Sequence, residues 1–345
     1  MPELRKEMLT GRWVIISIER SKRPDDFRMS ETGEIKKETV TFCPFCSGNE
    51  SKTPPEIYSI RENNSLPNQP GWKIRVVPNK FPALQPGPTP PKKTRGIFQW
   101  MEGIGVHEVI IETPEHDLEM SDLPLDHLAQ IIQVYRLRTL SIEEQFQYKY
   151  VQIFKNKGKE AGASLSHPHS QIIATPIVPK RIKEEIYGAE RLYRNHFREC
   201  AFCRMIKEEI TSKERLVYQN EGFVVLAPYA SRFPFEMAIF PLEHSAFFPD
   251  ISDRSSFYLA DALKQALSRL KYQLASPSYN LVFHQSPNPQ LAEKAWPGIE
   301  AYFHWHVEIM PILTKVAGFE LGTGFYINPV PPEVAAEFLK KDLPA

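Results

Sequence analysis

Cysteine and histidine pairs are the residues of this sequence with the clearest capacity for chemistry. The four cysteines form two Cys-x-x-Cys pairs, Cys43 with Cys46 and Cys200 with Cys203. Each is followed along the chain by a His-x-His pair, His167 with His169 and His304 with His306. Thiolates three positions apart on a tight turn can bind one tetrahedral ion, and histidines from elsewhere can complete its coordination. The same arrangement, twice in the same order, predicts two metal sites.

Each predicted metal site has two further ligands. One is a histidine that comes shortly after a proline, and the other is the first histidine of the His-x-His pair. The first set is Cys43, Cys46, His116 and His167, and the second is Cys200, Cys203, His244 and His304. A closed four-ligand site is normally structural, so we expect two zinc ions that stabilise the fold without chemistry. A pair of buried small hydrophobes or a redox dithiol is the alternative. Redox motifs precede a helix, whereas these pairs run into Gly48 and Arg204.

The surroundings of the first His-x-His pair favour phosphoryl chemistry. Alternate residues of a strand point to the same face, so His169 and Gln171 share the face of the ligand His167. The loop before them has N–H groups from Gly162 to Ser164 that can hold phosphate oxygens. We predict that one ring nitrogen of His169 attacks phosphorus while a backbone carbonyl holds the other N–H. Gln171 is placed to donate to a phosphoryl oxygen.

The second His-x-His pair lies in different surroundings. Trp305 replaces the proline between the histidines, Val307 and Glu308 replace Ser-Gln, and no loop of small residues precedes the pair. Taken alone, a His-x-His pair on a strand, the first pair included, is more often a metal pair or a satisfied core histidine than a nucleophile. We therefore predict that the second copy keeps the metal ligand His304 and lacks the chemistry.

The elements that must position these residues also occur twice. Each half has the order Cys-x-x-Cys, strand, strand ending on proline and histidine, helix, strand and His-x-His strand. The first helix carries apolar residues at helical spacing, Leu128, Ile131, Ile132 and Tyr135, which predicts one face packed on a sheet. We predict an α+β fold of two tandem half-domains, residues 1–185 and 186–345, with antiparallel sheets and helices packed on one face.

Composition excludes several classes of protein. Lys plus Arg and Asp plus Glu each number 42, so the formal charge is zero and no broad surface for nucleic acid or anionic membrane is encoded. A hydrophobic content of 42% is that of an ordinary globular protein. We find no apolar run long enough for a membrane span and no leader at the start, so we expect a cytoplasmic protein.

The quoted motifs together resemble a known family. His-Pro-His-Ser-Gln at 167–171, with CPFC, VVPNKFPAL and TPEH upstream, is similar to the galactose-1-phosphate uridylyltransferase branch of the histidine-triad superfamily. The resemblance implies two histidine-triad-like halves and a ping-pong transfer through a nucleotidyl-histidine at His169, with Gln171 stabilising the intermediate. It also implies structural zinc at the first ligand set and a homodimer in which the partner's C-terminal segment completes the hexose end of the site.

The same resemblance assigns substrate-binding residues. Arg20 and Arg23 resemble phosphate-binding arginines, whose forked guanidinium suits phosphate. Asn79 resembles the ribose-contacting asparagine, and Asn156 and Ser164 resemble phosphate-contacting positions. In the tail, Lys315, Phe319 and Glu320 lie in the segment that resembles the hexose-binding one.

Some residues depart from the best-known uridylyltransferases. Those proteins have Asp where this chain has Lys80, Glu where it has Lys155 and Tyr where it has Phe319. They also lack the second cysteine pair and use a glutamate and three histidines around the second ion. The second Cys-x-x-Cys and the GFELGTGFYINPV segment are similar to the ADP-glucose phosphorylase subgroup instead. The base and the acceptor therefore stay open.

The resemblance implies that nucleotide sugar and hexose 1-phosphate are the binding partners. The leading expectation is a UDP-glucose:galactose-1-phosphate uridylyltransferase. Three alternatives stay open: an ADP-glucose phosphorylase that transfers adenylyl to phosphate, a histidine-triad nucleotide hydrolase, and a zinc-scaffolded module that binds nucleotide sugar without turnover.

Overall fold

The computed structural model describes residues 1–17, 42–62 and 64–343. Its strands are β1 (Glu3–Lys6), β2 (Trp13–Ile16), β3 (Tyr58–Arg61), β4 (Trp72–Pro78), β5 (Lys93–Arg95), β6 (Phe98–Trp100), β7 (Val106–Ile111), β8 (Tyr150–Lys157), β9 (His169–Thr175), β10 (Leu216–Gln219), β11 (Phe223–Leu226), β12 (Met237–Pro241), β13 (Tyr279–His284), β14 (His306–Pro311) and β15 (Tyr326–Asn328). Its α-helices are α1 (Leu125–Phe146), α2 (Lys180–Leu192), α3 (Ala201–Ser212), α4 (Asp253–Gln273), α5 (Pro289–Ala295), α6 (Ile299–Tyr302), α7 (Gly318–Thr323) and α8 (Pro332–Leu339). None of the helices in these residues has the length and apolar character needed to cross a bilayer.

One antiparallel sheet carries both His-x-His strands. Its ten strands lie in the order β10-β11-β12-β14-β13-β8-β9-β7-β4-β3. The two halves meet where β13 pairs with β8, with Asn280 opposite Asn156. The halves repeat the same strand order. Outward from this junction, the second half has β13, β14, β12, β11 and β10, which correspond in turn to β8, β9, β7, β4 and β3 of the first half. The antiparallel α+β fold expected from the sequence is confirmed.

Helices α1 and α4 cover one face of this sheet. The four apolar residues that predicted the first helix are buried in α1, and α4 buries a matching row that includes Leu259, Leu263 and Leu267. The two helices contact each other, and their apolar faces belong to one core that draws residues from both halves. Burial of this shared core joins the halves and fixes the sheet on which the site residues stand.

The opposite face of the second half is covered by α2 and α3. Residues of both helices pack on Val224 and Leu226 of β11 and on Ala238 and Phe240 of β12. Helix α3 begins directly after Cys200, which is its N-cap residue. The expectation that neither cysteine pair precedes a helix is therefore wrong for the second pair. Each cysteine pair lies beside two histidines. This grouping, rather than the lack of a following helix, argues against a redox dithiol.

A small second sheet links the two ends of the described chain. Strand β15 pairs parallel with β2, with Tyr326 opposite Val14, and β1 pairs antiparallel with β2. Arg5 on β1 forms an ion pair with Glu333 of α8 at 2.8 Å. The segment that contains α7 is therefore held next to the N-terminal strands.

Helix α1 carries a carboxyl group that should make stability depend on pH. Burial, and then the nearby Asp250, raise the pKa of Glu143 to about 7, compared with about 4.3 in an unfolded chain. The folded state therefore binds this proton more tightly, and its stabilising contribution is lost as pH rises from about 4.3 through about 7. We expect the melting temperature to fall across that window, and Glu143→Gln to flatten the fall.

The neighbouring Glu144→Gln serves as the matched control for this prediction. Melting curves recorded between pH 4.5 and pH 8 compare both variants with the parent chain. Glu144→Gln should follow the parent profile. Superimposable profiles for Glu143→Gln and the parent would contradict the assignment.

Candidate metal centres and active site

The first predicted ligand set comes together at the start of β9. Cys46 Sγ lies 3.4 Å from His116 Nδ1 and 3.6 Å from His167 Nδ1, and the two Nδ1 atoms are 3.3 Å apart. Cys43 Sγ is 3.7 Å from His167 Nδ1. Tetrahedral zinc with bonds of about 2.0–2.3 Å places its ligands roughly 3.3–3.8 Å apart. The four atoms therefore enclose a space of the size that one zinc ion fills.

The second predicted ligand set has a similar arrangement. Cys203 Sγ lies 3.3 Å from His244 Nδ1 and 3.5 Å from His304 Nδ1, and Cys200 Sγ lies 4.0 Å from His304 Nδ1. The two sets occupy corresponding places in the two halves. Each half therefore contains a Cys2His2 group that could bind a metal ion.

Backbone carbonyls orient the ligand histidines. His167 Nε2 donates to the Thr113 carbonyl at 2.8 Å, and His304 Nε2 donates to the Pro241 carbonyl at 3.0 Å. This leaves the Nδ1 lone pair of each ring directed at the cysteines, as a metal ligand requires. Burial lowers the pKa of His167 to about 4, so its imidazole is neutral and able to coordinate at neutral pH.

The first residue of β9, His169, is held by the ligand histidine. His169 Nδ1 donates to the His167 carbonyl at 2.8 Å, so the Nε2 atom carries the lone pair. The side chain is only 6% exposed, and the Phe45 ring from the cysteine turn packs edge-on against it with centroids 5.4 Å apart. Burial lowers the pKa of His169 below its ordinary value, which keeps the ring neutral at pH 7.

Gln171 lies in a hydrogen-bonded group with a residue that sequence reasoning missed. The missed residue is His107 on β7, whose Nε2 is 2.8 Å from Gln171 Oε1 and 3.0 Å from Asn79 Nδ2. The Ala83 N–H donates to His107 Nδ1 at 3.2 Å. Alternation along β7 could have placed His107 on the face of Val109. Only the pairing of β7 with β9 brings that face to Gln171.

The loop before β9 behaves differently from the expected phosphate cradle. Gly162 has φ +87°, which closes the short helical turn that precedes it. Its N–H donates to the Lys159 carbonyl at 3.0 Å, and the Ala163 N–H donates to the Gly158 carbonyl at 3.2 Å. These two N–H groups are used inside the loop and cannot also hold phosphate. Ser164 is exposed, so a ligand can reach its side chain.

The other sequence-assigned residues have local partners or are exposed. Asn156 of β8 accepts from Asn280 Nδ2 at 2.8 Å across the junction of the halves. Lys315 and Phe319 are exposed, and Glu320 accepts from the Ala317 N–H at 3.1 Å at the start of α7. In the described residues, the hydrogen bonds of this tail do not join it to His169. Arg20 and Arg23 lie outside the described residues.

A buried ion pair supports β9 from the side of the sheet that faces α1. Lys155 Nζ donates to Glu112 Oε2 at 2.7 Å and to the His169 carbonyl at 3.1 Å. Glu112 also accepts from the hydroxyls of Ser170 and Tyr135. The Lys155 and Glu112 side chains are 4% and 0% exposed. The backbone carbonyl of His169 is thus bonded to Lys155 of β8, whose charge is balanced by Glu112 directly after β7.

Removal of one member of this pair should strongly destabilise the protein. We expect Glu112→Gln to cost about 3–5 kcal/mol of unfolding free energy, because it leaves the Lys155 charge buried without its anion. The matched control is Asp122→Asn. Asp122 pairs with Lys271 at 2.5 Å with about a quarter of each side chain exposed, so its loss should cost at most about 1 kcal/mol. Urea unfolding measures both, and equal losses would contradict the prediction.

A second buried charge cluster lies below β14. It comprises Glu185, His284, His306 and Glu308. Glu185 accepts from His284 Nδ1 at 2.9 Å, and Glu308 pairs with Arg232 at 2.6 Å and with Arg181 at 2.9 Å. Both carboxylates also lie beside Arg181, which is 3.3 Å from Glu185. Sequence patterns could not predict this cluster, since its members come from three separate elements, α2, β13 and β14.

Three features define the class of protein. They are a duplicated α+β fold, a Cys2His2 group in each half, and one His-x-His strand that is followed by glutamine. Residues 1–179 match the N-terminal domain of galactose-1-phosphate uridyl transferase, and residues 151–341 match its C-terminal domain. The chain belongs to the galactose-1-phosphate uridylyltransferase family.

Several relatives match nearly the whole chain. An ADP-glucose phosphorylase from Arabidopsis thaliana is 37% identical over 99% of this chain and 93% of its own length. A galactose-1-phosphate uridylyltransferase from Thermotoga maritima is 33% identical over 99% of this chain and 98% of its own length. The crystal structure of the Arabidopsis thaliana ADP-glucose phosphorylase with bound ADP-glucose aligns with a TM-score of 0.80 at 35% identity, covering 99% of both chains. A uridylyltransferase structure aligns with a TM-score of 0.73 at 29% identity, covering 99% and 97%.

Proposed function

We propose that this protein is a nucleotidyltransferase that moves a nucleoside monophosphate from a nucleotide sugar to a phosphate-bearing acceptor through a covalent intermediate on His169. The observation that carries the proposal is the hydrogen bond from His169 Nδ1 to the His167 carbonyl at 2.8 Å. It directs the Nε2 lone pair away from the backbone. A neutral, immobilised imidazole with one free nitrogen is prepared for nucleophilic attack.

The proposed reaction has two displacements at one phosphorus atom. In the first, His169 Nε2 attacks the α-phosphorus, an N–P bond forms, and the P–O bond to the sugar phosphate breaks with its electron pair on the leaving oxygen. In the second, an acceptor phosphate oxygen attacks the same phosphorus, and the N–P pair returns to Nε2. Gln171 is proposed to donate an amide N–H to a phosphoryl oxygen in both steps.

Zinc is the ion that we propose for both Cys2His2 groups. Two thiolates and two imidazoles with ligand separations of 3.3–3.7 Å at the first group suit tetrahedral zinc. A bound ion would supply folding free energy and no reaction step. It would fix His167, whose carbonyl in turn fixes His169. The predicted division into residues 1–185 and 186–345 then gives each half its own ion.

The remaining assigned residues are proposed to bind the substrates. Arg20, Arg23 and Ser164 would contact phosphate, and Asn79 would contact ribose. The proposal for Asn156 is a phosphate contact next to Gly162. The tail residues Lys315 and Phe319, which are exposed, and the half-buried Glu320 would reach the hexose end of the site of a second copy in a cytoplasmic homodimer. Sedimentation at assay concentration tests the dimer, which an active monomer would contradict.

Two substrate pairs fit the proposed chemistry. UDP-glucose with galactose 1-phosphate is the first, in line with the family to which the chain belongs. ADP-glucose with orthophosphate is the second, and it is favoured by the second cysteine pair and by the Arabidopsis thaliana relative. Steady-state rates for the two pairs, measured side by side, decide between them. Turnover of neither pair, with hydrolysis or binding alone, would contradict the proposed function.

A further inference from the structure

One group of polar side chains joins three elements on the sheet face that carries His169. It comprises Asn79 directly after β4, His107 on β7 and Gln171 on β9. Val109 lies opposite Gln171 in the β7–β9 pair, and His107 is two residues before it on the same strand face. His107 and Gln171 are therefore diagonal neighbours across the pair, and this separation is within the reach of long side chains.

The loop after β4 determines which nitrogen of His107 accepts a hydrogen bond. The Ala83 N–H donates to His107 Nδ1 at 3.2 Å. Two residues later the loop is held by backbone bonds, since the Gln85 N–H donates to the Gly103 carbonyl at 3.0 Å and the Gly105 N–H donates to the Gln85 carbonyl at 2.8 Å. A backbone N–H fixed in this way stays directed at the ring, so Nδ1 is the acceptor nitrogen of His107.

The acceptor role of Nδ1 fixes the direction of the hydrogen bond between His107 and Gln171. An imidazole whose Nδ1 accepts carries its proton on Nε2. His107 Nε2 lies 2.8 Å from Gln171 Oε1, so the ring donates to the amide oxygen. In the part of the chain that the structure describes, Gln171 Nε2 has no protein acceptor. The half-buried Gln171 side chain therefore keeps its NH2 group available for a ligand.

The Asn79 side chain also lies beside His107 Nε2. Its Nδ2 is 3.0 Å from that nitrogen, and its Oδ1 accepts from the Phe81 N–H at 2.9 Å. An amide NH2 cannot donate to a nitrogen that carries a proton. Of the two donors that face the ring, the Ala83 N–H belongs to the backbone, whereas the Asn79 amide is a side chain that can rotate. The Asn79 NH2 is therefore left for an acceptor on a ligand, in agreement with its proposed ribose contact.

We propose that His107 is a positioning residue that sets the orientation of the Gln171 amide, an inference that rests on the nucleotidyl transfer proposed above. The Nε2–H of His107 holds the amide so that its NH2, and not its carbonyl oxygen, faces the phosphoryl group. The opposite orientation would set the partial negative charge of Oε1 against the phosphoryl oxygens and would remove the donor. An amide that is oriented before the substrate binds needs no rearrangement during either displacement.

Kinetics in two backgrounds test this role on the full-length, metal-loaded protein. We expect His107→Leu to lower kcat about tenfold with little change in KM, because loss of its hydrogen bond releases the amide. His107→Gln, whose amide can replace the Nε2–H donor, should stay within about threefold of the parent kcat. In a Gln171→Ala background, His107→Leu should lower kcat by less than about twofold, because His107 acts through Gln171. The matched control is His127→Leu on α1, which should leave kcat unchanged in both backgrounds.

Equal losses of kcat from His107→Leu in the two backgrounds would overturn the proposal, because they would show a general structural role. A parent-like kcat in His107→Leu would overturn it as well. Nitrogen NMR of protein that contains isotope-labelled histidine tests the tautomer without turnover, with the His107 signals identified by their absence in His107→Leu. We expect a protonated Nε2 and an unprotonated Nδ1, and the reverse would overturn the proposal. Failure of nucleotidyl transfer is seen separately, as missing turnover in a parent protein that keeps the expected tautomer.

Discussion

Replacement of His169 by alanine is expected to lower kcat for nucleotidyl transfer by about 10⁴-fold or more, with a smaller change in KM. Loss of a covalent nucleophile removes the path through the intermediate, and only positioning and electrostatic stabilisation remain. Substrate binding depends on other residues. The effect is measured with whichever substrate pair the protein turns over, from initial rates at saturating concentrations.

The control for this variant is His127→Ala. His127 lies on α1, on the other side of the sheet, where its Nε2 donates to the Glu112 carbonyl at 2.7 Å. Its removal takes away an imidazole of the same size without touching the proposed reaction face. We expect the control to keep kcat within about threefold, since it leaves β9 in place. A His169→Ala variant that retained a tenth of the parent kcat would contradict the nucleophile assignment.

Replacement of Cys43 by serine is expected to give the second large effect, on stability and on activity together. A structural zinc site supplies about 10–16 kcal/mol in small zinc-finger peptides. We expect loss of one of two bound ions and at least about 5 kcal/mol of unfolding free energy. Because the same ion would fix His167, whose carbonyl orients His169, kcat should fall as well. Metal analysis, urea unfolding and initial rates measure the three quantities.

The corresponding variant of the other half, Cys200→Ser, separates stability from chemistry. It should also lose one ion and destabilise the protein, because its ligand set has a similar geometry. Its His-x-His strand carries no proposed nucleophile, so kcat of the folded fraction should fall much less than in Cys43→Ser. Equal losses of kcat in the two variants would contradict the link between the first ion and His169. Retention of two ions by Cys43→Ser would contradict the ligand set.

Local patterns in the sequence predicted the elements and the metal-ligand groups. Helical spacing predicted α1, because a helix that buries one face has apolar residues at regular intervals along the sequence. The Cys-x-x-Cys and His-x-His pairs located both ligand groups for a similar reason, since a tetrahedral ion restricts residue type and local spacing. These features depend on short stretches of chain, and the order in which they recur also indicated the duplication.

Local sequence patterns could not predict features that depend on strand pairing or on side-chain direction. His107 reaches Gln171 only through the register of β7 with β9. The loop N–H groups of Gly162 and Ala163 bond within the loop, a result that depends on backbone angles. The start of α3 at Ala201 was missed because a cysteine is an uncommon N-cap residue.

The central claim is a covalent nucleotidyl-histidine at His169, and mass spectrometry tests it most directly. The protein is incubated with UDP-glucose or ADP-glucose without acceptor, digested under mildly alkaline conditions that preserve an N–P bond, and mapped peptide by peptide. We predict one added nucleoside monophosphate per chain on the peptide that contains His169, removed when acceptor is supplied and missing in His169→Ala. An adduct on another residue, or turnover of either substrate pair with no adduct on His169, would contradict the account.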